Sequence, residues 1–185
     1  MRAHLLPFVQ KAGTSSSQLA FHLSATNKSL SYASCSPVFA AIAITSDFSH
    51  VKLNTSIHTT DGELTVYSPR AMVTPYPSVY ILYGSTTNAP ASLYLHPEYE
   101  GSFELSTAGV GLGGKAELVW DDNAGGRDPA GKGRTRRLDW SDGRKERRWK
   151  SGKIVWGEEV EEERMGDVRL YTTGKDVTVV AQKAQ

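Results

Sequence analysis

The chain of 185 residues contains one cysteine, Cys35, which excludes an internal disulfide framework and a cysteine-built zinc site. It has no long apolar run: Pro37 to Ile44 (PVFAAIAI) is the longest, against the roughly 20 residues that cross a bilayer as a helix. It has almost no charge imbalance. Lys and Arg number 21 against 20 acids, a formal net charge of +1, so nothing global points to nucleic acid or membrane. Helical periodicity is weak throughout, and only Glu158 to Arg164 has helix-forming composition. The N-terminal MRAHLLPFVQKAG has an apolar stretch from Leu5 to Val9, broken by Pro7 and closed by Lys11, too short for a secretory leader. A cytoplasmic, reducing location with a buried free Cys35 is therefore the default expectation. The sequons Asn27-Lys28-Ser29 and Asn54-Thr55-Ser56 are ascribed to the abundance of Ser and Thr. At 39% hydrophobic residues, the length and composition fit a single domain with a modest core.

What is present is a β pattern. Ser and Thr number 17 and 11 within the first 110 residues, the usage of half-buried pleated surfaces. Polar and apolar residues alternate in His50–Asn54, Glu63–Tyr67, Ser102–Ser106, Lys115–Trp120, Lys153–Trp156, Asp167–Tyr171 and Val177–Val180, the period of a strand with one face buried. Turn residues separate them at Asp61-Gly62, Ser68-Pro69, Gly84-Ser85, Asn88-Ala89-Pro90 and Gly174-Lys175-Asp176. A short echo recurs in GELTVYS (62–68), GSFELST (101–107) and GDVRLYT (166–172), and with serine leading in SHVKLNT (49–55). The longer pair GSFELSTAG and GDVRLYTTG also shares its closing glycine. The expected fold class is all-β: a β-roll or short β-solenoid-like stack of Gly-turn strands, with a two-sheet β-sandwich as the alternative.

Charge is unevenly spread. Residues 1–100 carry five basic and five acidic side chains, so most of both signs lie in the last 85. Residues 121–150 (DDNAGGRDPAGKGRTRRLDWSDGRKERRWK) hold ten basic and six acidic residues, with only Leu138, Trp140 and Trp149 as large apolar groups. That composition reads as one long, flexible polar insertion. The organisation expected is a diverged or partly ordered segment over 1–48, and one β-rich domain over 49–185 containing the basic loop. Tyr32 to Ile44 offers one buried strand to the same sheet.

Catalytic and cofactor motifs are missing. Gly109 to Gly114 matches GxGxxG, but Lys115–Trp120 reads as a strand, and without a following helix there is no dipole to hold a pyrophosphate. His4, His22, His50, His58 and His96 make no short metal spacing, and His50 and His58 read as two surface histidines ahead of a pair facing each other across a hairpin. Asp121, Asp122, Asp128 and the glutamate run lack the pattern of a calcium loop. There is no GxSxG elbow, and Cys35 lacks an activating setting. No catalytic residue, metal or cofactor is expected.

One constellation remains. Lys132 to Lys150 holds nine basic and three acidic residues interleaved with indoles. Arg134, Arg136, Arg137, Arg147 and Arg148 are the candidate phosphate or sulfate contacts, with Trp140 and Trp149 as stacking surfaces. Asp139, Asp142 and Glu146 dilute that field, and pairing with the neighbouring acidic run Glu158–Glu163 competes with it.

Several short stretches carry a family resemblance: LHPEYEGSFELST (95–107), DPAGKGR (128–134), GKIVWG (152–157) and the pair of strands within 166–179. Over about residues 49–180 the chain resembles a fungal family of uncharacterised β-rich domains, itself similar to bacterial adhesin-like domains. The resemblance implies a roll of Gly-turn strands and brings no activity or site residues. It departs at residues 1–48, which match nothing in that family, and at His96, inserted in its Leu-Pro turn. The expected function is a non-catalytic module presenting a sheet face or loop to a protein or glycan. Binding of nucleic acid or another polyanion through 132–150 is the alternative, and an enzyme with an unrecognised site ranks last.

Overall fold

The computed structural model describes residues 17–23, 28–35, 37–44, 51–67, 78–109, 113–120, 128, 132–142, 148–158 and 165–181. Strand-length runs of alternating residues, cut by Gly, Asn and Asp turns, leave each segment one apolar face to bury, and the chain answers with two sheets. The first runs, in spatial order, β1 (Ser17–Leu23), β3 (Val38–Ile44), β5 (Leu64–Tyr67), β7 (Ala91–Leu95), β13 (Val177–Ala181), β9 (Ala116–Trp120). The second runs β10 (Arg136–Asp142), β11 (Trp149–Trp156), β8 (Gly101–Ala108), β12 (Gly166–Thr173), β6 (Ser78–Thr86), β4 (Val51–Thr59), β2 (Lys28–Ser34). The described residues are all-β, and the two sheets face each other in a sandwich-like arrangement. Val66, Leu93 and Val179 of the first sheet meet Leu82, Leu105 and Leu170 of the second in one apolar core. No helix of the described residues is long and apolar enough to cross a membrane.

Among the described residues only β10–β11 and β11–β8 pair antiparallel, and the other pairings are parallel. Parallel neighbours cannot be joined by a tight hairpin. Here the chain crosses to the other sheet and back, so strands two apart in sequence lie side by side, as in β2-β4-β6 and β3-β5-β7. The corners stack as well: the Leu64 N–H donates to Pro90 O at 3.1 Å, Ala91 to Asp176 O at 3.0 Å and Val177 to Lys115 O at 2.8 Å. β12 and β13 depart from this order, since β12 lies between β6 and β8 and β13 between β7 and β9.

The internal echo has a spatial meaning. GSFELSTAG and GDVRLYTTG are neighbours in register, with Gly101 opposite Gly166, Phe103 opposite Val168, Leu105 opposite Leu170 and Thr107 opposite Thr172. The threonine row continues through Thr86 to Thr59, and all four are buried. Thr59 Oγ1 donates to Gly62 O, and Thr172 Oγ1 to Lys175 O. These bonds three residues ahead turn the chain toward the opposite sheet.

Two expectations differ from what is seen. Residues 121–150 are not one loop: β10 and the start of β11 occupy part of that stretch. The hairpin forms because Leu138 has the core to pack against while Arg137 and Asp139 point outward. Residues 121–127, 129–131 and 143–147 lie outside the described residues. Cys35 is exposed rather than buried, because it follows the last residue of β2 at a bend beyond the sheet. Within 28–44, β2 pairs with β4 and β3 with β5. His50 lies outside the described residues, and the partner of His58 is Ser85, with Nδ1 2.7 Å from Oγ.

Two tyrosines predict the alkaline limit of the fold. Burial pushes the Tyr80 hydroxyl far above its usual value. Burial also raises that of Tyr99, helped by the charges of Asp167 and Tyr80. In the unfolded chain both ionise near pH 10, while in the fold they stay neutral. Their contribution is therefore complete below pH 10 and is lost as pH rises above it. Denaturant titrations at stepped pH should show stability falling steeply above pH 10. In Tyr80→Phe the fall should be visibly shallower; an unchanged slope would remove Tyr80 as a cause.

Candidate functional site

Of the sequence-derived candidates, Arg134 is committed inside the protein. Its Nη2 lies 2.9 Å from Asp128 Oδ1 and 3.3 Å from Glu100 Oε2, and its Nε donates to Asp128 Oδ1 at 3.1 Å. Asp128 Oδ2 also accepts the backbone N–H groups of Lys132 and Arg134, at 2.9 and 3.0 Å. Glu100 Oε1 accepts the Trp156 N–H at 3.3 Å. Both carboxylates are buried, at 6% and 5% exposure. Burial alone would pull the guanidinium down, but the hydrogen bond and charge of Asp128 and the charge of Glu100 outweigh it and hold it above its usual value. Asp128, Arg134 and Glu100 are thus a clasp that ties residues 128 and 134 to the start of β8 and the end of β11.

The remaining candidates fall on different surfaces. Arg136 stacks on the Trp120 ring, its Cζ 4.6 Å from the centroid. Trp140 is exposed and carries Lys150 Nζ at 4.8 Å on its ring. Arg137 is exposed on the opposite face of β10. Arg148 is half-buried, and its carbonyl accepts the Thr107 N–H at 2.8 Å. Trp149 donates its indole N–H to Glu104 Oε1 at 3.0 Å. Arg147 lies outside the described residues. The structure therefore brings Arg136, Trp140 and Lys150 to one side of the hairpin, and sends Arg137 to the other.

The sequence reading did not single out the outer face of the second sheet. Three rows cross it. One is Ser56, Tyr83, Arg169, Glu104, Ser151, the next His58, Ser85, Tyr171, Ser106, Trp149, and the third Asn54, Ile81, Asp167, Ser102, Lys153. Five strands at the usual spacing make a platform about 19 Å across. Its polar groups interlock. Arg169 Nη2 lies 2.9 Å from Asp167 Oδ2, Ser102 Oγ donates to Asp167 Oδ1 at 2.8 Å, and Arg169 sits over the Tyr83 ring at 5.5 Å. Tyr83 and Tyr171 are 47% and 42% exposed, and Tyr171 makes no ring contact among the described residues. The signal in the sequence was the aromatic at alternate positions of YGST and LYTT, where a polar residue is usual on a solvent face.

The outer face of the first sheet also carries aromatics, arranged differently. Tyr67 and Tyr94 are stacked at 4.6 Å and 8°, and Phe39 tilts against Tyr67 at 5.2 Å. Rings stacked on one another cover their own faces. Among the described residues no group of three His, Cys, Asp or Glu is placed to hold a metal ion. In comparisons with known proteins, no family model, curated protein or solved structure matches the chain.

Proposed function

We propose that the chain is a non-catalytic β-roll module that binds a glycan on the outer face of β4, β6, β12, β8 and β11. Support for the roll is the alternation of successive strands between sheets with parallel pairing two strands on, so that each turn of chain stacks on the last. The observation that carries the binding face is Tyr171. Its ring is exposed, makes no ring contact among the described residues, and is flanked in its row by Ser85 and Ser106. Sugar rings offer C–H faces that pack on an aromatic and hydroxyls that pair with Ser, Asp, Glu and Arg side chains. The stacked tyrosines of the other sheet offer edges, which suits a structural ladder better.

The test is a screen of the full chain against immobilised neutral and acidic oligosaccharides, followed by calorimetry on any that bind. Tyr171→Ala should weaken binding by roughly tenfold, about 1.4 kcal/mol, and Tyr94→Thr on the opposite sheet should leave it unchanged. Binding that is indifferent to Tyr171, or a chain that retains no oligosaccharide, overturns the reading.

A further inference from the structure

The β10–β11 hairpin contains two side chains, Arg136 and Trp156, whose buried hydrogen-bond donors meet no acceptor among the described residues. All three guanidinium nitrogens of Arg136 are buried without a partner among the described residues, and so is the indole nitrogen of Trp156. The two residues oppose each other directly in the hairpin. The Gly157 N–H donates to Thr135 O at 2.8 Å, which makes 135 and 157 a hydrogen-bonded pair. The next pair, Arg136 and Trp156, is then a non-hydrogen-bonded one, the kind whose Cα atoms approach to about 4.5 Å and whose side chains lie closest. The Trp120 ring of the facing sheet covers one face of the guanidinium.

A buried cation without an acceptor is the costly half of an ion pair, and native proteins rarely leave one so. Burial pushes the Arg136 guanidinium down to about 10, yet it still carries its charge at neutral pH. Among the described residues, Glu100 and Asp128 do not serve it and pair instead with Arg134.

We propose that Arg136 and Trp156 form a binding site for a single carboxylate group, held by the guanidinium fork and the indole N–H above the floor of Trp120. The planar fork matches two carboxylate oxygens, and the indole supplies a third donor. A carboxylate brings one negative charge to one positive charge. A phosphate dianion would leave a buried excess of negative charge, and water would accept the hydrogen bonds without neutralising anything. The site lies on the inner side of the hairpin, apart from the sheet face proposed above, and stands whether or not that face binds glycan.

The experiment titrates the ¹⁵N-labelled full chain with acetate, glucuronate and inorganic phosphate at constant ionic strength and neutral pH, following the Trp156 indole resonance. Trp156→Phe assigns that resonance. Acetate should shift it saturably and raise the melting temperature. Arg136→Met should fold, melt no lower than the parent without ligand, and bind acetate about tenfold or more weakly. Trp156→Phe, which keeps an aromatic side chain and loses the donor, should bind several-fold more weakly, read from the acetate dependence of its melting temperature. Glucuronate binding more tightly than acetate would assign the carboxylate to a sugar acid; equal binding would assign it to a small free monocarboxylate. Three results would overturn the proposal: no saturable shift, meaning that water serves the donors; a shift that persists in Arg136→Met; or phosphate binding as tightly as acetate.

Discussion

Replacing Arg134 with methionine should cost about 3–5 kcal/mol of folding free energy, the usual consequence of removing one partner from a buried ion pair. Glu100 and Asp128 would remain inside the protein without their cation, at 6% and 5% exposure. Against a typical total of about 5–15 kcal/mol, that loss leaves little margin at neutral pH. The signature is its pH dependence. Once the guanidinium is gone, burial favours the protonated form of both acids, so their pKa values in the fold rise above those in the unfolded chain. Stability contributed by such groups is present at low pH and is lost as pH rises. Denaturant titrations should therefore show the gap between Arg134→Met and the parent narrowing as pH falls into the carboxylate range. Adding Glu100→Gln and Asp128→Asn to Arg134→Met removes the two buried negative charges and keeps acceptors for the N–H groups of Trp156, Lys132 and Arg134. This triple variant should recover part of the loss at neutral pH. A gap under about 1 kcal/mol, the scale of a surface pair, would show the clasp to be peripheral.

Gly166→Ala should destabilise the fold by about 3 kcal/mol, near the upper end of ordinary overpacking. A Cβ at this position would lie 2.7 Å from Tyr80 O and 3.0 Å from Tyr99 Cε2. Neither neighbour has room to retreat. The first is backbone, and the second belongs to a buried ring whose hydroxyl donates to Ser102 O at 2.7 Å. Gly101, directly opposite, is as tight, with a would-be Cβ 2.5 Å from Gly166 O. Gly133→Ala is the control. Its φ of 69° is left-handed, but nothing lies within 4 Å of an added Cβ. Backbone strain alone should cost about 1 kcal/mol there. Thermal and denaturant unfolding of the two variants side by side checks the difference, and equal losses would show that close packing between the strands is not the cause.

Much of the sheet structure was legible in the sequence because a strand with one solvated face writes its burial as alternation. β4, β5, β8, β9, β11, β12 and β13 each overlap a segment read that way. β6 and β7 were not named, since the outward positions of VYILY and SLYL include Ile81, Tyr83 and Tyr94 as well as polar residues, which blurs the period. β10 was hidden for the opposite reason: Arg136 occupies an inward position and makes the segment look like charged loop. The echo between residues 101–109 and 166–174 was visible, and it marked two strands that lie side by side. The clasp was not legible as a site. Glu100, Asp128 and Arg134 are far apart in sequence or buried in a basic stretch, and the stretch suggested a solvated arginine where the fold uses an ion-paired one. Nor could the outer platform be read, because it depends on which strands are neighbours.

Strand order is what alternation cannot convey, and here it has a consequence for the timing of folding. β6 and β8 are separated in their sheet by β12, and β7 and β9 in theirs by β13. A chain leaving the ribosome completes β9 long before residues 166–181 emerge. Until then the units on either side of the gap have open, parallel-pairing edges, which are prone to capture by another chain. The slow, non-local closure of the two sheets thus waits until residues 166–181 have been made. The nascent protein has most to gain from a chaperone in that interval.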